Sequence, residues 1–300
     1  IIEGEEEWGG PFADYPRTYP EVFAADAIVV ADVGNARLGE PTFTTALRGM
    51  AAVSVECRTL AGAVHSGMFG GPAPDALMAL IGLLATLRDA DGETAIEGIS
   101  GFDWDGADFD EADFRDLAGV DPDQPLIGQG SIASRLFSKP VVNVVGIDAP
   151  PTAGAVNAVI PYAKARVSLR VPPGLDALAA RDALVRHLET HAPWGVQVNV
   201  TPDVVGQGVR VDTSGPAYAA AREAMLQAYG RSAQDIGAGG SIPLVDSLMA
   251  AVPDAEILLF GAQDPLARIH APNESVDLAE LERAVLAEAL FIRNFGSVVP

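Results

Sequence analysis

The stretch IPYAKARVSLRV, residues 160–171, reads as a β-strand, the third strand of the pattern that decides the fold. Before it come a strand over 50–58, a helix over 74–89 (PDALMALIGLLATLRD) and a strand over 140–148 (PVVNVVGID). After it come a helix over 175–191, introduced by PPG, and a strand over 195–204 (GVQVNVTPDV). Residues 49–205 therefore read β-α-β-β-α-β, with a long excursion over 90–135 after the first helix. That is the order of a ferredoxin-like split βαβ sandwich. The excursion is polar, acidic and dotted with aromatics, so it is expected on the surface with solvated acids and a short helix near 111–118. Calcium is the weaker reading of those acids, because the loop spacing of an EF-hand is absent.

On both sides of this module the chain reads as α/β. DAIVVADV, residues 26–33, is a short apolar run ending in an acid, as in a buried sheet strand. The C-terminal part reads as a helix over 215–229, a glycine-rich turn GAGGSIP, and a helix over 243–251. A strand over 255–260 follows, then a loop holding His270 and a helix over 277–293. The expected organisation is one α/β domain made of residues 1–48 and 206–300, with residues 49–205 inserted in it.

The 300 residues carry 41 acids against 19 lysines and arginines, a net charge of −22. Such a surface disfavours nucleic acid and anionic membranes. No stretch approaches the ~18 apolar residues of a membrane span. The single cysteine, Cys57, cannot form an intrachain disulfide and reads as a small buried hydrophobe. The opening IIEGEEEWGG is not a signal peptide and resembles a strand end running into an acidic loop, so residues are expected to precede Ile1.

Four histidines are candidates for chemistry. His187 and His191 share a helix face at i, i+4, a spacing that can bind zinc, but the glutamate that would follow the first histidine is missing. A solvated face is the expected reading there. His270 follows an apolar strand, Asp32 ends another, and Glu5, Glu6 and Glu7 lie after what reads as a third strand end. Sites in open α/β sheets gather at the carboxyl ends of strands. Carboxylates with an imidazole are a donor set that catalytic zinc accepts; solvated loop acids are the bland alternative. His65 sits in a loop with Gly67, Gly70 and Gly71, which permits close backbone approach. Ser66 and Ser241 lack the G-x-S-x-G elbow of a serine hydrolase. GAGGSIP could cradle an anion but has no P-loop lysine.

Taken in order, EGEEEWGG (3–10), VVADV (29–33), the RG turn (48–49), HSGMFGG (65–71), NAVIPYAKARVSLRVPPG (157–174), GGSIP (239–243) and HAPNE (270–274) resemble one family. It is the two-zinc metallopeptidase family of cytosolic dipeptidases and carnosinases, carboxypeptidase G, aminoacylases, acetylornithine deacetylase and succinyl-diaminopimelate desuccinylase. HSGMFGG together with ISGFDWDG (99–106) is most similar to the dipeptidase branch.

The resemblance implies a zinc-peptidase catalytic domain of α/β class with an inserted ferredoxin-like lid and dimerisation domain. It implies two zinc ions, with cobalt or manganese as alternatives, and a cytoplasmic homodimer joined through the lid. Glu6 matches the general base. Glu7 and His270 match ligands of one zinc, and Asp32 a ligand of the other. His65 matches a histidine that reaches the partner subunit's site and polarises the scissile carbonyl. Asn157, Arg170, Gly240 and Ser241 match substrate-binding positions, Arg170 being favoured for a carboxylate through its two-pronged fork.

Two departures qualify this picture. The family's H-x-D segment, which supplies a zinc ligand and the bridging aspartate, precedes the paired glutamates and is not in this sequence. The chain alone is therefore expected to hold metal poorly and to be catalytically silent. Dipeptidases often carry Arg-Glu before GGSIP, where this chain has Gly237 and Ala238, which makes a neutral acyl or amide substrate more plausible. The implied activity is hydrolysis of a peptide or amide bond in a small substrate with a free carboxylate. The alternatives are an N-acyl amino acid deacylase and a non-catalytic dimeric protein that keeps the fold.

Overall fold

The computed structural model describes residue 1, residue 4 and residues 10–297. In chain order the helices and strands are α1 (Tyr15–Thr18), β1 (Ala27–Val30), β2 (Thr42–Leu47), β3 (Gly49–Arg58), β4 (Val64–His65), α2 (Ser66–Phe69), α3 (Ala76–Ala85) and α4 (Glu111–Ala118). They continue with β5 (Val141–Asp148), β6 (Ala158–Val159), β7 (Tyr162–Val171), α5 (Ala177–Thr190), β8 (Val198–Gly206), β9 (Val209–Arg210) and α6 (Pro216–Tyr229). The last are β10 (Gln234–Ala238), α7 (Pro243–Ala251), β11 (Glu256–Leu259) and α8 (Leu278–Phe295). Among the described residues no helix is long and apolar enough to cross a membrane.

Strands β5-β7-β3-β8 form one antiparallel sheet in that order. With α3 and α5 this is the split βαβ arrangement that the sequence order implies. Its cause is strict alternation. Ala51, Val53, Val55 and Cys57 of β3 and Ala163, Ala165, Val167, Leu169 and Val171 of β7 point to one face and pack on Leu80, Leu83, Leu184 and Leu188 of the two helices. A pleated strand sends alternate side chains to opposite faces. The other face therefore takes the polar residues, including the pairs Lys164–Glu56 at 2.9 Å and Arg166–Asp203 at 2.7 Å. Arg170 falls on this polar face. Both helices begin with an aspartate cap: Asp75 accepts from the Met78 N–H, and Asp176 from the Leu178 and Ala179 N–H groups.

A second core holds Phe43, Leu47, Tyr218, Leu258 and Phe260, drawn from both ends of the chain. Here β1 pairs in parallel with β11, and β2 lies between parallel β10 and antiparallel β9. Strand β2 (TFTTAL) is buried at all six positions, three of them threonines, and sequence reading passed it over. Phe43 packs edge-on against Tyr218 and Phe260, with ring centroids 5.4 and 5.7 Å away.

The excursion is corrected in part. Helix α4 spans Glu111–Ala118 as expected, capped by Asp110, and most of the acids are exposed as expected, but the segment also has a buried side. Trp104, Ala133 and Phe137 are buried with Ala46 of β2 and Ile236 of β10 in a third small core. Arg210 donates through Nη2 to both Asp105 oxygens at 2.7 Å, Arg37 pairs with Asp113, and the Ala107 N–H donates to the Asp235 carbonyl. Aromatics spaced among acids give such a segment a buried side that its average polarity hides.

Candidate active site

Strands β1 and β11 run in parallel and in register, Ala27 opposite Glu256 through Val30 opposite Leu259. Their carboxyl ends therefore open on the same edge. Asp32 lies two positions beyond β1 and is exposed. The loop carrying His270 leaves β11. The two segments stay together past the strands, since Gly34 bridges Gln263 and the Asn35 N–H donates to the Gln263 carbonyl at 2.8 Å. A Cβ on Gly34 would overlap that carbonyl, so glycine is required there.

The loop beyond β11 is tightly wound. Arg268, His270 and Asn273 have φ of +57°, +60° and +65°, unusual for residues with a side chain. Bonds from the Ala271 N–H to the Arg268 carbonyl and from the Ser275 N–H to the Ala267 carbonyl hold the turn. Non-glycine residues in this region cost free energy and cluster at functional sites.

Three positions beyond Asp32, at Asn35, a buried polar network fixes the loop between β1 and β2. Glu280, fully buried on α8, accepts from Asn35 Nδ2 at 2.8 Å, the Gly39 N–H at 2.7 Å and Arg283 at 2.6 Å. Asn35 Oδ1 accepts from the Thr42 N–H at 2.9 Å. The same asparagine thus ties its loop to β2, to α8 and to the loop of His270. Asp277 caps the start of α8 on the Ala279 and Glu280 N–H groups.

A carboxylate and an imidazole suit zinc chemically. Among the described residues no group of three or more histidine, cysteine, aspartate or glutamate side chains is close enough to hold a metal ion. Glu6 and Glu7, the expected base and ligand, lie outside the described residues.

The expected substrate residues fall in two places. His65, exposed at the end of β4, pairs with Ala158 of β6, and the Ser66 N–H donates to the Asn157 carbonyl at 3.0 Å. The structure thus brings His65 and Asn157 together on a small two-stranded arm. At the far end of the larger sheet, Gly206 of β8 abuts Ser241, whose Oγ would lie 3.1 Å from a Cβ on that glycine. Arg170, half-buried on β7, lies in the same row, since β3 sets Met50 opposite both Arg170 and Gly206.

Sequence reading missed Arg48, between β2 and β3. It is 8% exposed, and its Nε and Nη1 meet no hydrogen-bond acceptor among the described residues. Burial, then the nearby charge of Arg170, lowers its pKa to about 10. An arginine amid the apolar run ALRGMAAV was the available signal.

Of the His187–His191 pair, His191 is exposed as expected and His187 is corrected. His187 is 6% exposed rather than solvated. Its Nε2 lies 2.9 Å from Thr86 Oγ on α3's end, and its ring stacks on His191 at 4.0 Å. Burial, then His191, lowers its pKa, against the opposing bond to Thr86.

Residues 45–196 match the family model described as the M20 peptidase dimerisation domain. The chain is 38% identical over 302 residues to the Cysteinylglycine-S-conjugate dipeptidase of Corynebacterium striatum, covering 99% of this chain and 66% of that protein. It is 23% identical to a Cys-Gly metallodipeptidase of Schizosaccharomyces pombe, covering 100% of this chain and again 66% of the relative. The chain thus spans about two thirds of the length of these curated relatives. Among solved structures, a di-peptidase of Saccharomyces cerevisiae superposes with a TM-score of 0.80 at 19% identity, covering 99% of this chain and 65% of that one. Human carnosine dipeptidase 1 superposes with a TM-score of 0.77 at 22% identity, covering 99% and 65%. The inserted antiparallel sheet, the parallel β1–β11 pair and a dimerisation-domain match over residues 45–196 agree, and the chain belongs to the dipeptidase-like branch of the M20 peptidase family.

Proposed function

We propose that this chain carries part of a metal-dependent dipeptidase that hydrolyses the peptide bond of a small substrate with a free carboxylate. The observation that carries this reading is that Asp32 and the loop of His270 leave neighbouring parallel strands at one sheet edge. The 38% identity to a dipeptidase supports it. In this reading residues 1–48 and 206–300 form the catalytic domain and residues 49–205 the lid. Asp32 would hold one zinc, and Glu7 and His270 the other.

When bound, the metal pair supplies Lewis acidity and lowers the pKa of a water toward ~7. The protein's own groups do the rest. The Glu6 carboxylate takes the proton of that water and returns it to the leaving nitrogen. Arg170 reads the substrate's carboxylate through its guanidinium fork, and the backbone at Gly240 and Ser241 lies against the substrate. His65, with Asn157 beside it, donates to the developing oxyanion in the partner's site. A homodimer through the lid is supported by β5, an edge strand that exposes Val144, Val145 and Ile147 at 45, 59 and 47%. Zinc and a cytoplasmic setting belong to the same proposal.

Gly237 and Ala238, uncharged beside the Gly239–Ser241 turn, favour N-acyl amino acids as the second reading. The test is an activity panel of dipeptides and N-acyl amino acids on the full-length protein. Dipeptide turnover supports the first reading, N-acyl turnover alone the second, and turnover of neither overturns both.

A further inference from the structure

Arg48 is a buried cation with two orphaned nitrogens, and it lines a cavity of about 250 Å³ between the excursion and the lid sheet. Arg88, Arg135 and Lys139 line the same cavity, against one carboxylate, Glu93. Among the described residues four cations and one acid line it, in a chain whose net charge is −22. The only ion pair that these four cations make among the described residues is that of Lys139 with Glu93. Arg88 donates to the carbonyls of Val142, at 2.7 Å from Nη2, and Gly92. Arg135 donates to those of Ser131 and Ile127 at 3.3 and 3.2 Å. Neutral carbonyls hold these guanidinium groups in place without neutralising them. Glu93 is shared between Lys139 at 3.2 Å and the Gln129 N–H.

A guanidinium carries five N–H donors and an ammonium three. With Arg88 also bonded to Asn143 and Lys139 to the Gln129 carbonyl, one donor remains on Arg88, three on Arg135 and one on Lys139. The orphan nitrogens of Arg48 are closed to solvent, so Arg48 acts on the cavity through its charge. A buried charge without a counterion is unfavourable, and a well-placed partner of opposite sign that also makes hydrogen bonds offsets that cost. The backbone neighbours of Arg48 place it under the glycine turn: its N–H donates to the Ala238 carbonyl at 3.2 Å, and its Nη2 lies 3.0 Å from where a Cβ on Gly239 would stand.

We infer that this cavity is a binding site for a small tetrahedral oxyanion of the sulfate or phosphate class, which supplies the counterion of Arg48. The anion bridges the excursion and the start of β3 and braces the turn carrying Gly239. The site is separate from the substrate-carboxylate position proposed for Arg170, which does not line the cavity, and the inference does not depend on the hydrolytic reading.

The test measures Tm of the full-length protein against sulfate, and separately against phosphate, with ionic strength held constant by sodium chloride. The expected result is a saturable rise for both anions. General exclusion of these salts from protein surface also stabilises, but without saturation and equally in variants. Arg48→Met is expected to lose the saturable part. Arg135→Gln, which keeps the buried core intact, tests the site should Arg48→Met fail to fold. It is expected to raise the half-saturating concentration roughly 10-fold, as for loss of a hydrogen bond to a charged group. Arg170→Met is expected to keep the response. The inference is overturned by no saturable rise in the parent protein, by a parent-like half-saturation in Arg135→Gln, or by loss of the response in Arg170→Met, which would place the anion at the substrate site.

Discussion

Asn35 and Glu280, 245 positions apart, are joined by a buried 2.8 Å hydrogen bond that ties the loop of Asp32 to the first turn of α8. Removing the carboxylate leaves Asn35, the Gly39 N–H and Arg283 without their acceptor. Glu280→Ala is expected to cost about 3 kcal/mol, the lower end for breaking a buried pair, because the Arg283 side chain is 39% exposed. Asn35→Ala should cost roughly 1–3 kcal/mol through the stranded Thr42 N–H and Glu280 oxygen. Urea midpoints at unchanged slope check both, and a loss below about 0.5 kcal/mol for Glu280→Ala would show that the network does not brace the loop.

The paired histidines give a pH dependence. The pKa of His187 is lowered in the fold from 6.5, chiefly by burial. The unfolded chain therefore takes up the proton first as pH falls. The stability that neutral His187 contributes is fully present above about pH 6.5 and is lost as pH drops through the folded pKa. Between pH 7.5 and 5.5 the fall in Tm should be smaller in His187→Leu than in the parent. An equal fall in both would mean that His187 is not the responsible group.

The excursion is expected to behave as part of the structure. Trp104 is 9% exposed and meets Phe137 edge-on at 5.4 Å. Trp104→Ala should cost ~3–5 kcal/mol. Trp104→Phe should cost less, since it also removes an indole N–H that is buried without an acceptor. If calorimetry shows Trp104→Ala melting like the parent, the segment is a surface loop after all.

The inserted sheet was legible because β3 and β7 alternate apolar and polar residues with period two, a signal independent of any partner. Strand β2 was not, because the groups that bury TFTTAL are distant in sequence: Phe43 and Leu47 pack with Tyr218 and Phe260, and Ala46 with Trp104 and Phe137. His187 looked solvated for a similar reason: its partner Thr86 is 101 positions away on another helix. Asp32 and His270 were legible as loop residues after apolar strands, whereas Arg48 was not, since its significance lies in missing partners. Glu6 and Glu7 lie outside the described residues, so their roles rest on resemblance.

The sheet edge at the ends of β1 and β11 is the proposed metal centre for peptide hydrolysis. Its most direct test is the zinc content of the purified full-length protein, measured alongside Cys-Gly hydrolysis, for the parent, Asp32→Ala and His270→Ala, with His187→Leu as control. Zinc in the parent and in His187→Leu, with zinc and activity both lost in Asp32→Ala and His270→Ala while the fold persists by circular dichroism, is the predicted result. Parent-like zinc content in Asp32→Ala and His270→Ala would contradict it.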